Sequence, residues 1–254
     1  MSDLPEAFLQ SLRDAPGFDR AAFEAVHRDT GRVNAVRMNP LKRPVTPAVL
    51  TSSSAAVPWC EGGYYLSERP LFSRDPLWHA GAYYVQDASS MGLDFAIRHL
   101  APAGPLRILD LCAAPGGKTT LLAAAMAPGS FVTANEVIAS RTPVLEENVV
   151  KWGAPGVVVT RNDPRDFAAL EGFFDVIVID APCSGSGLFR KDPGAVKEWS
   201  ESLVELCQGR QQRITAEVMG ALAPGGLLLY STCSYSPAED ERVAEFLLAR
   251  FPLE

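Results

Sequence analysis

The sequence predicts an α/β fold, in which a parallel sheet carries helices on both faces and follows a smaller section of short mixed elements. Two observations indicate this. From Leu106 onward, short apolar runs alternate with longer helical segments, the order expected of right-handed crossovers in a parallel sheet. Before Leu106, Pro and Ser interrupt the chain repeatedly, as at Asn39-Pro40, so only short elements joined by turns are expected there.

The elements of the first section are predicted from the spacing of its apolar residues. Helices are expected over 5–13 and 21–28, a strand over 32–38, a strand and turn over 62–72, and a helix over 89–100. We expect this section to form a cap or appendage on the main fold.

The second section supplies the sheet. Strands are predicted over 107–111, 131–135, 157–160, 176–180 and 227–231, and helices over 119–126, 139–152, 198–223 and 238–250. In an open parallel sheet the ligand crevice lies at the carboxyl ends of the strands. Residues that directly follow these strands are therefore the first candidates for a functional site.

The composition is that of an ordinary soluble globular chain, with 254 residues, 47% of them apolar, and a formal net charge of -7. This acidic balance argues against indiscriminate nucleic-acid binding, which needs an excess of Lys and Arg. Locally the balance reverses, and only Asp29 opposes five basic residues: Arg28, Arg32, Arg37, Lys42 and Arg43. This basic segment is either a solvated face or a small surface for a polyanion.

The five cysteines lack the short paired spacings of a zinc site and the density of a disulfide scaffold. They favour a reducing cytoplasm, and no metal is expected. The N-terminus has no basic patch followed by an apolar core, and no stretch is long enough to span a membrane. No targeting or anchoring is therefore expected.

A loop of small residues follows the first predicted strand of the sheet and opens a helix. Its residues are Asp110, Leu111, Cys112, Ala113, Ala114, Pro115, Gly116, Gly117, Lys118, Thr119 and Thr120. Small residues let the backbone approach a ligand, and the amides of a helix start favour a polar or negatively charged group. A phosphate-binding loop is the competing interpretation, because Gly117-Lys118-Thr119 matches the end of that motif. Cys112 occupies the place of its first glycine, which weakens an NTPase assignment.

Three acids, Asp110, Glu136 and Asp163, end or follow three successive predicted strands. Glu136 lies at the distance at which a nucleoside site places an acid on the ribose hydroxyls, and Asp163 is expected near a base edge. Together they predict a site for an adenosine that carries a positive charge, which S-adenosylmethionine fits and a polyphosphate does not. Each acid alone is equally well explained as a loop residue or helix cap.

A carboxylate and two thiols follow two further apolar runs. Asp180 ends one run, where a charge is costly unless it has a partner or a task, and Cys183 and Cys233 stand just beyond the two runs. A capping or ligand-orienting carboxylate is the alternative for Asp180, and taken singly each Cys is best explained as a small apolar residue. Because both thiols are expected at the ligand edge of one sheet, with Ser and Gly beside them, a nucleophile is favoured.

The whole pattern resembles the Sun-type family of RNA cytosine-C5 methyltransferases over nearly the full chain. The motifs that carry the resemblance are LDLCAAPGGKT at 109–119, DAPCSGSG at 180–187, PGG at 224–226, YSTCS at 230–234 and EDE at 239–241, with further matches at 32–34 and 84–90. The FRKDP stretch at 189–193 is most similar to the bacterial branch that acts on small-subunit ribosomal RNA. The resemblance implies a Rossmann-like class I methyltransferase domain over 75–254 and a small α+β N-terminal subdomain over 1–74 that contacts RNA.

The resemblance also implies a reaction, the transfer of a methyl group from S-adenosylmethionine to carbon 5 of a cytosine in RNA through a covalent cysteine adduct. Cys233 would attack carbon 6 of the cytosine, Cys183 would assist breakdown of the adduct, and Asp180 would hydrogen-bond nitrogen 3. DNA cytosine methyltransferases use their Pro-Cys thiol as the nucleophile, so the roles of the two thiols stay exchangeable. The residues implied to hold the cofactor are Cys112, Ala113, Ala114, Pro115, Gly116, Gly117, Lys118, Glu136, Asp163 and Asp180.

Family members usually continue past the helix that ends near Arg250 with two more strands, which leaves open that this chain is a fragment lacking the last strands of its sheet. The implied partner is ribosomal RNA within a ribosomal subunit or precursor, not DNA or a membrane, and the chain is expected to be monomeric and cytoplasmic. Two other functions stay open: a nucleotide-binding ATPase and a non-catalytic RNA-binding or assembly module.

Overall fold

The computed structural model describes residues 4–29, 33–42, 49–50 and 54–254. The chain divides into two compact units. One unit, here called the sheet unit, contains the described residues of 33–179 together with 220–229. The other, here called the cysteine unit, contains 4–29, 180–219 and 230–254.

The helices and strands of the described residues are as follows. The α-helices are α1 (Glu6–Ser11), α2 (Arg20–Arg28), α3 (Pro76–His79), α4 (Gly92–Leu100), α5 (Gly117–Ala125), α6 (Thr142–Trp152), α7 (Pro193–Glu198), α8 (Glu201–Val218) and α9 (Glu241–Arg250). The strands are β1 (Asn34–Met38), β2 (Ala55–Ala56), β3 (Gly63–Leu66), β4 (Tyr83–Val85), β5 (Arg107–Asp110), β6 (Phe131–Asn135), β7 (Val157–Thr160), β8 (Phe174–Asp180) and β9 (Leu222–Ser231).

The described residues form two sheets. The smaller has the order β2-β3-β1-β4, with antiparallel pairing throughout. The larger has the order β7-β6-β5-β8-β9, and its pairs β6/β7, β5/β6 and β5/β8 are parallel. The prediction of an α/β fold with a parallel sheet and a smaller mixed section is therefore confirmed.

The core of the sheet unit lies where β5, β6 and β8 meet α4 and α5. Ile108, Leu122, Val132 and Val176 have no solvent exposure and form one cluster. Burying a side chain of this size contributes about 1.5–3 kcal/mol, so this layer is the main support of the loop that follows β5.

The cysteine unit has its own core, built from aromatic rings on α1 and near α7. Phe8 contacts Phe189 edge-on at 5.0 Å between ring centroids and Trp199 at 5.4 Å. Ser200 caps the start of α8 by accepting the backbone N–H of Leu203 at 3.1 Å. α8 is thereby fixed next to the segments that carry Cys183 and Cys233 within this unit.

Several predicted boundaries differ from the observed ones. β6 and β7 coincide with the predicted strands, whereas the helix predicted over 198–223 starts at Glu201, ends at Val218 and continues as a 3-10 turn over Met219–Ala221. β9 then begins at Leu222, five residues before the predicted strand, because the helix-breaking Pro224 and Gly225 exclude continuation of α8. The sequence analysis also missed β2, β4, α3 and α7, which are too short to show a periodic pattern.

Among the described residues, no helix is both long and apolar enough to cross a membrane. The division into an N-terminal subdomain over 1–74 and a domain over 75–254 stays a prediction.

Candidate active site

The loop after β5 turns sharply into α5. Ala113 N–H donates to Asn135 O at 2.8 Å, and Gly116 N–H donates to Ala113 O at 2.7 Å. Gly116 has a left-handed backbone, with φ of +107°, and a Cβ placed there would lie 3.2 Å from Leu145 Cδ1. This position therefore requires glycine, and the turn brings small residues and the first amides of α5 together.

The two ends of this loop are joined through buried side chains. Thr119 Oγ1 donates to Asp110 Oδ2 at 2.6 Å, and both residues are without solvent exposure. In a phosphate-binding loop the hydroxyl at the position of Thr119 would coordinate magnesium. Here that hydroxyl is engaged and buried, which disfavours the ATPase alternative.

Glu136 and the loop share one arginine that the sequence analysis missed. Glu136 is 2% exposed, accepts the backbone N–H of Ile138 at 2.9 Å, and lies 3.3 Å from Arg141 Nη1. Arg141 Nη2 also donates to Ala114 O at 2.5 Å. The structure thus brings together two of the predicted cofactor residues, Glu136 and Ala114, through Arg141.

Asp163 has a local structural task. Its Oδ1 accepts the backbone N–H of Arg165 at 3.3 Å, and Asp163 N–H donates to Asp166 Oδ2 at 3.0 Å, so it caps the 3-10 helix Pro164–Ala169. The position of Asp163 therefore fits the alternative given for each of the three acids in the sequence analysis, which is that of a helix cap. A cofactor contact from Asp163 stays a prediction.

Asn135, at the end of β6, is a second residue that the sequence analysis missed. Its Nδ2 donates to Leu111 O at 3.2 Å and to Asn162 O at 3.0 Å, while its Oδ1 accepts from Asn162 N–H at 2.8 Å. Asn135 is 1% exposed. It therefore joins the loop after β5 to the segment that leads into Asp163.

One residue of the basic segment, Arg37, is buried in the structure. Arg37 is 2% exposed, lies 4.6 Å above the Trp152 ring, and donates to Gln86 Oε1 at 2.9 Å and Thr120 Oγ1 at 2.8 Å. Burial lowers the pKa of Arg37 to about 10. Treating Arg37 as part of a polyanion-binding surface is therefore wrong, because β1 turns this side chain towards the interior of the sheet unit.

The other described members of the basic segment are also engaged. Arg28 Nη2 pairs with Glu24 Oε2 at 2.7 Å, and Lys42 Nζ donates to Lys151 O at 2.8 Å. Arg32 and Arg43 lie outside the described residues. The described part of this segment thus gives little support to a polyanion surface.

In the cysteine unit, the two predicted thiols are in direct contact. Cys183 Sγ and Cys233 Sγ lie 2.8 Å apart. Cys233 is exposed and Cys183 is partly buried. The pKa of the Cys183 thiol is raised well above its ordinary value, first by the hydrogen bond with Cys233 and then by burial. In this contact either S–H can donate to the other sulfur.

Asp180 lies in the same unit and is held by its neighbours. Ser231 Oγ donates to Asp180 Oδ1 at 2.9 Å, and the adjacent Ala181 N–H donates to Ser231 O at 2.8 Å. The ends of β8 and β9 are thus joined, and all three predicted catalytic residues, Asp180, Cys183 and Cys233, belong to one compact unit.

The segment around Cys233 is fastened on both sides. Gly187 N–H donates to Cys233 O at 2.7 Å. Thr232 Oγ1 donates to Asp240 Oδ1 at 2.7 Å, and burial raises the pKa of Asp240 to about 6. The EDE motif at 239–241 was recognised in the sequence, but no pattern indicated that its acids support the segment that carries Cys233.

Comparisons with known proteins agree with the resemblance found in the sequence motifs. The family model described as 16S rRNA methyltransferase RsmB/F matches residues 97–252, and that of the N-terminal domain of 16S rRNA methyltransferase RsmF matches 4–88. Ribosomal RNA small subunit methyltransferase F from Cronobacter sakazakii is 39% identical, and that from Escherichia coli is 38% identical, each over 98% of this chain. The aligned part is 54% of each relative, so the chain spans about half the length of the curated relatives it matches.

Solved structures show the same fold. A methyltransferase homolog protein from Pyrococcus horikoshii is 27% identical with a TM-score of 0.74, covering 98% of this chain and 84% of that one. NSun6 from the same organism, solved with SFG, has a TM-score of 0.80 at 19% identity, over 98% of this chain and 88% of its own. The second likeness is one of fold alone.

Proposed function

Because the chain belongs to the 16S rRNA methyltransferase RsmB/F family, we propose that it transfers a methyl group from S-adenosylmethionine to carbon 5 of a cytosine in small-subunit ribosomal RNA. The observation that carries the proposal is the 2.8 Å contact between Cys183 and Cys233 in one unit with Asp180. A contact between two thiols at a partly exposed site suits a reaction that needs both an attacking sulfur and a second group.

The chemistry explains why a thiol is required. Carbon 5 of cytosine is a poor nucleophile until a group adds to carbon 6 and converts the ring into an enamine. A thiolate is suited to this reversible addition. We assign the attack to Cys233, because it is exposed, whereas Cys183 is partly buried.

Cys183 is assigned two tasks. Before attack, its S–H donates to the sulfur of Cys233 and stabilises the thiolate there. After methylation, a base must take the proton on carbon 5, and the electron pair left behind expels the sulfur of Cys233 from carbon 6 as a thiolate. We assign Cys183 to assist this release, as the family resemblance implies.

Asp180 is assigned to the target ring. Its carboxyl group is oriented by the hydroxyl of Ser231 at 2.9 Å. A proton held between the Asp180 carboxyl group and nitrogen 3 would stabilise the negative charge that develops on the ring as the thiolate adds. The target base must leave any helix to reach such a group, which favours an unpaired nucleotide.

The residues of the sheet unit fit a nucleoside cofactor. Small side chains over 112–117 and the first amides of α5 leave backbone available, and Glu136 places a buried carboxylate after β6. S-adenosylmethionine, when bound, supplies the methyl group. We propose that Cys112, Gly116, Gly117, Lys118 and Glu136 hold it, with further residues of the sequence assignment as additional contacts: Ala113, Ala114, Pro115 and Asp163. A cofactor contact from Asp180, which belongs to the cysteine unit, stays a prediction.

The test is a methylation assay on the chain as it stands, with small-subunit ribosomal RNA and labelled S-adenosylmethionine, followed by nucleoside analysis. We expect 5-methylcytidine from the unaltered chain and from Cys60→Ala, whose thiol belongs to the other unit, and none from Cys233→Ala. Cofactor and RNA binding without any methylated product would indicate the non-catalytic module instead. An RNA-contacting role for 1–74, a monomeric state and a cytoplasmic location stay predictions.

A further inference from the structure

Glu239 is a buried carboxylate that the proposed chemistry does not use. It has no solvent exposure and lies just before α9. Its Oε1 accepts from Ser184 N–H at 2.8 Å and from Gln211 Nε2 at 3.1 Å. Its Oε2 accepts from Ser184 Oγ at 2.5 Å and from Ser234 Oγ at 2.6 Å.

Three of these four donors come from the segments that carry the two thiols. Ser184 directly follows Cys183, and Ser234 directly follows Cys233. Gln211, from α8, also donates to Pro182 O at 3.0 Å, so the residues on both sides of Cys183 are held. We propose that Glu239 is a positioning residue that keeps the sulfur atoms of Cys183 and Cys233 in contact.

The choice of a carboxylate at this place has a physical reason. Burying a charge is costly unless hydrogen bonds compensate for the lost water, and here four donors do so. Each of these donors is a neutral group: a backbone amide, a side-chain amide and two hydroxyls. The donors that satisfy the charge are therefore the same groups whose positions fix the thiols.

Three variants separate positioning from charge. Glu239→Ala removes all four contacts. Glu239→Gln keeps one oxygen that accepts hydrogen bonds from Ser184 N–H and Gln211. Its amide nitrogen faces two serine hydroxyls, which can rotate and accept hydrogen bonds from it. Glu241→Ala is the matched control, because Glu241 is an exposed acid at the first position of α9.

The thiol contact is measured with phenylarsine oxide, which bonds two neighbouring thiols and releases one water. The unaltered chain, Glu239→Gln and Glu241→Ala are expected to bind it equally at the Cys183 pair, with Cys183→Ser as the reference that lacks this site. Glu239→Ala is expected to bind about tenfold more weakly or worse, because the hydrogen bonds that hold the two segments are gone. Unchanged binding by folded Glu239→Ala would overturn the proposal.

A variant that fails to fold does not end the test. Ser234→Ala removes one donor to Glu239 and is expected to weaken arsenical binding by a smaller factor, about threefold. If circular dichroism shows Glu239→Ala unfolded, full arsenical affinity in Ser234→Ala overturns the proposal in its place.

The catalytic consequence rests on the proposed function. Glu239→Ala is expected to lower the single-turnover methylation rate on the order of 100-fold with KM for RNA unchanged, and Glu239→Gln is expected to restore most of the loss. The arsenical assay needs neither RNA nor cofactor. Absence of methylation in every protein would therefore count against the proposed function alone, whereas normal arsenical binding by Glu239→Ala would count against the positioning role alone.

Discussion

Replacing Gly187 by Ala tests how closely the position of Cys233 is set. Gly187 N–H donates to Cys233 O at 2.7 Å, and a Cβ on Gly187 would lie only 2.5 Å from that oxygen and 3.2 Å from Cys233 C. Gly187 has no left-handed backbone, so the strain of the substitution is purely steric. The Cys233 backbone would have to move by about 0.9 Å to reach an ordinary contact of 3.4 Å.

A shift of this size is about a third of the 2.8 Å contact between the thiols. Misplacement of a reacting group by about 1 Å costs on the order of 100-fold in rate, and overpacking costs about 1–3 kcal/mol of stability. We therefore expect Gly187→Ala to slow single-turnover methylation about 100-fold while the protein remains folded at the assay temperature. Calorimetric S-adenosylmethionine affinity is expected to be unchanged.

Gly209→Ala is the matched control. Gly209 lies on the exposed face of α8 in the same unit, and a Cβ there would meet nothing within 4 Å. Ala in a helix interior is favoured over Gly by about 1 kcal/mol, so this variant is expected to be fully active and slightly more stable. Equal rates for Gly187→Ala and Gly209→Ala would refute the argument that the backbone of Cys233 must stay where it is.

Three further predictions follow from the two units. Cys233→Ala is expected to form no covalent adduct with RNA, whereas Cys183→Ala is expected to methylate once and stay attached, as a denaturing gel would show; the reverse pattern would exchange the two roles. Glu136→Ala is expected to weaken S-adenosylmethionine binding by about 1–3 kcal/mol in calorimetry, while Cys233→Ala binds it normally, and equal affinities would remove Glu136 from the site. Because burial raises the pKa of Asp240 to about 6, its folded state holds a proton that the unfolded chain has lost, so the free energy of unfolding should fall as pH rises from about 4 to 6. Asp240→Asn should flatten this fall, which is on the order of 1 kcal/mol once solvent screening of the partly exposed carboxyl group is allowed for, and an unaltered pH profile in denaturant titrations would contradict the assignment.

Local patterns were enough for the elements that carry the sheet. β6 and β7 coincide with their predicted ranges because each is a short apolar run of strand-forming residues bounded by turn residues. The loop between β5 and α5 was also recognised correctly. Glycine at positions 116 and 117 indicates a turn of the backbone that larger residues would hinder, so the residue types alone predict the loop.

The amino-acid sequence by itself thus determined the strands of the parallel sheet and their order along the chain, the glycine turn and which two thiols to examine. Only the tertiary structure decided that Cys183 and Cys233 touch, that Glu239 binds the neighbours of both, and that Arg37 is buried rather than exposed. The physical reason is the separation along the chain over which each kind of interaction acts. Periodicity and turn chemistry act over a few residues, whereas Cys183 and Cys233 are 50 residues apart, and Arg37 and Thr120 are 83 apart, so their contacts depend on strand order and packing that no local pattern records.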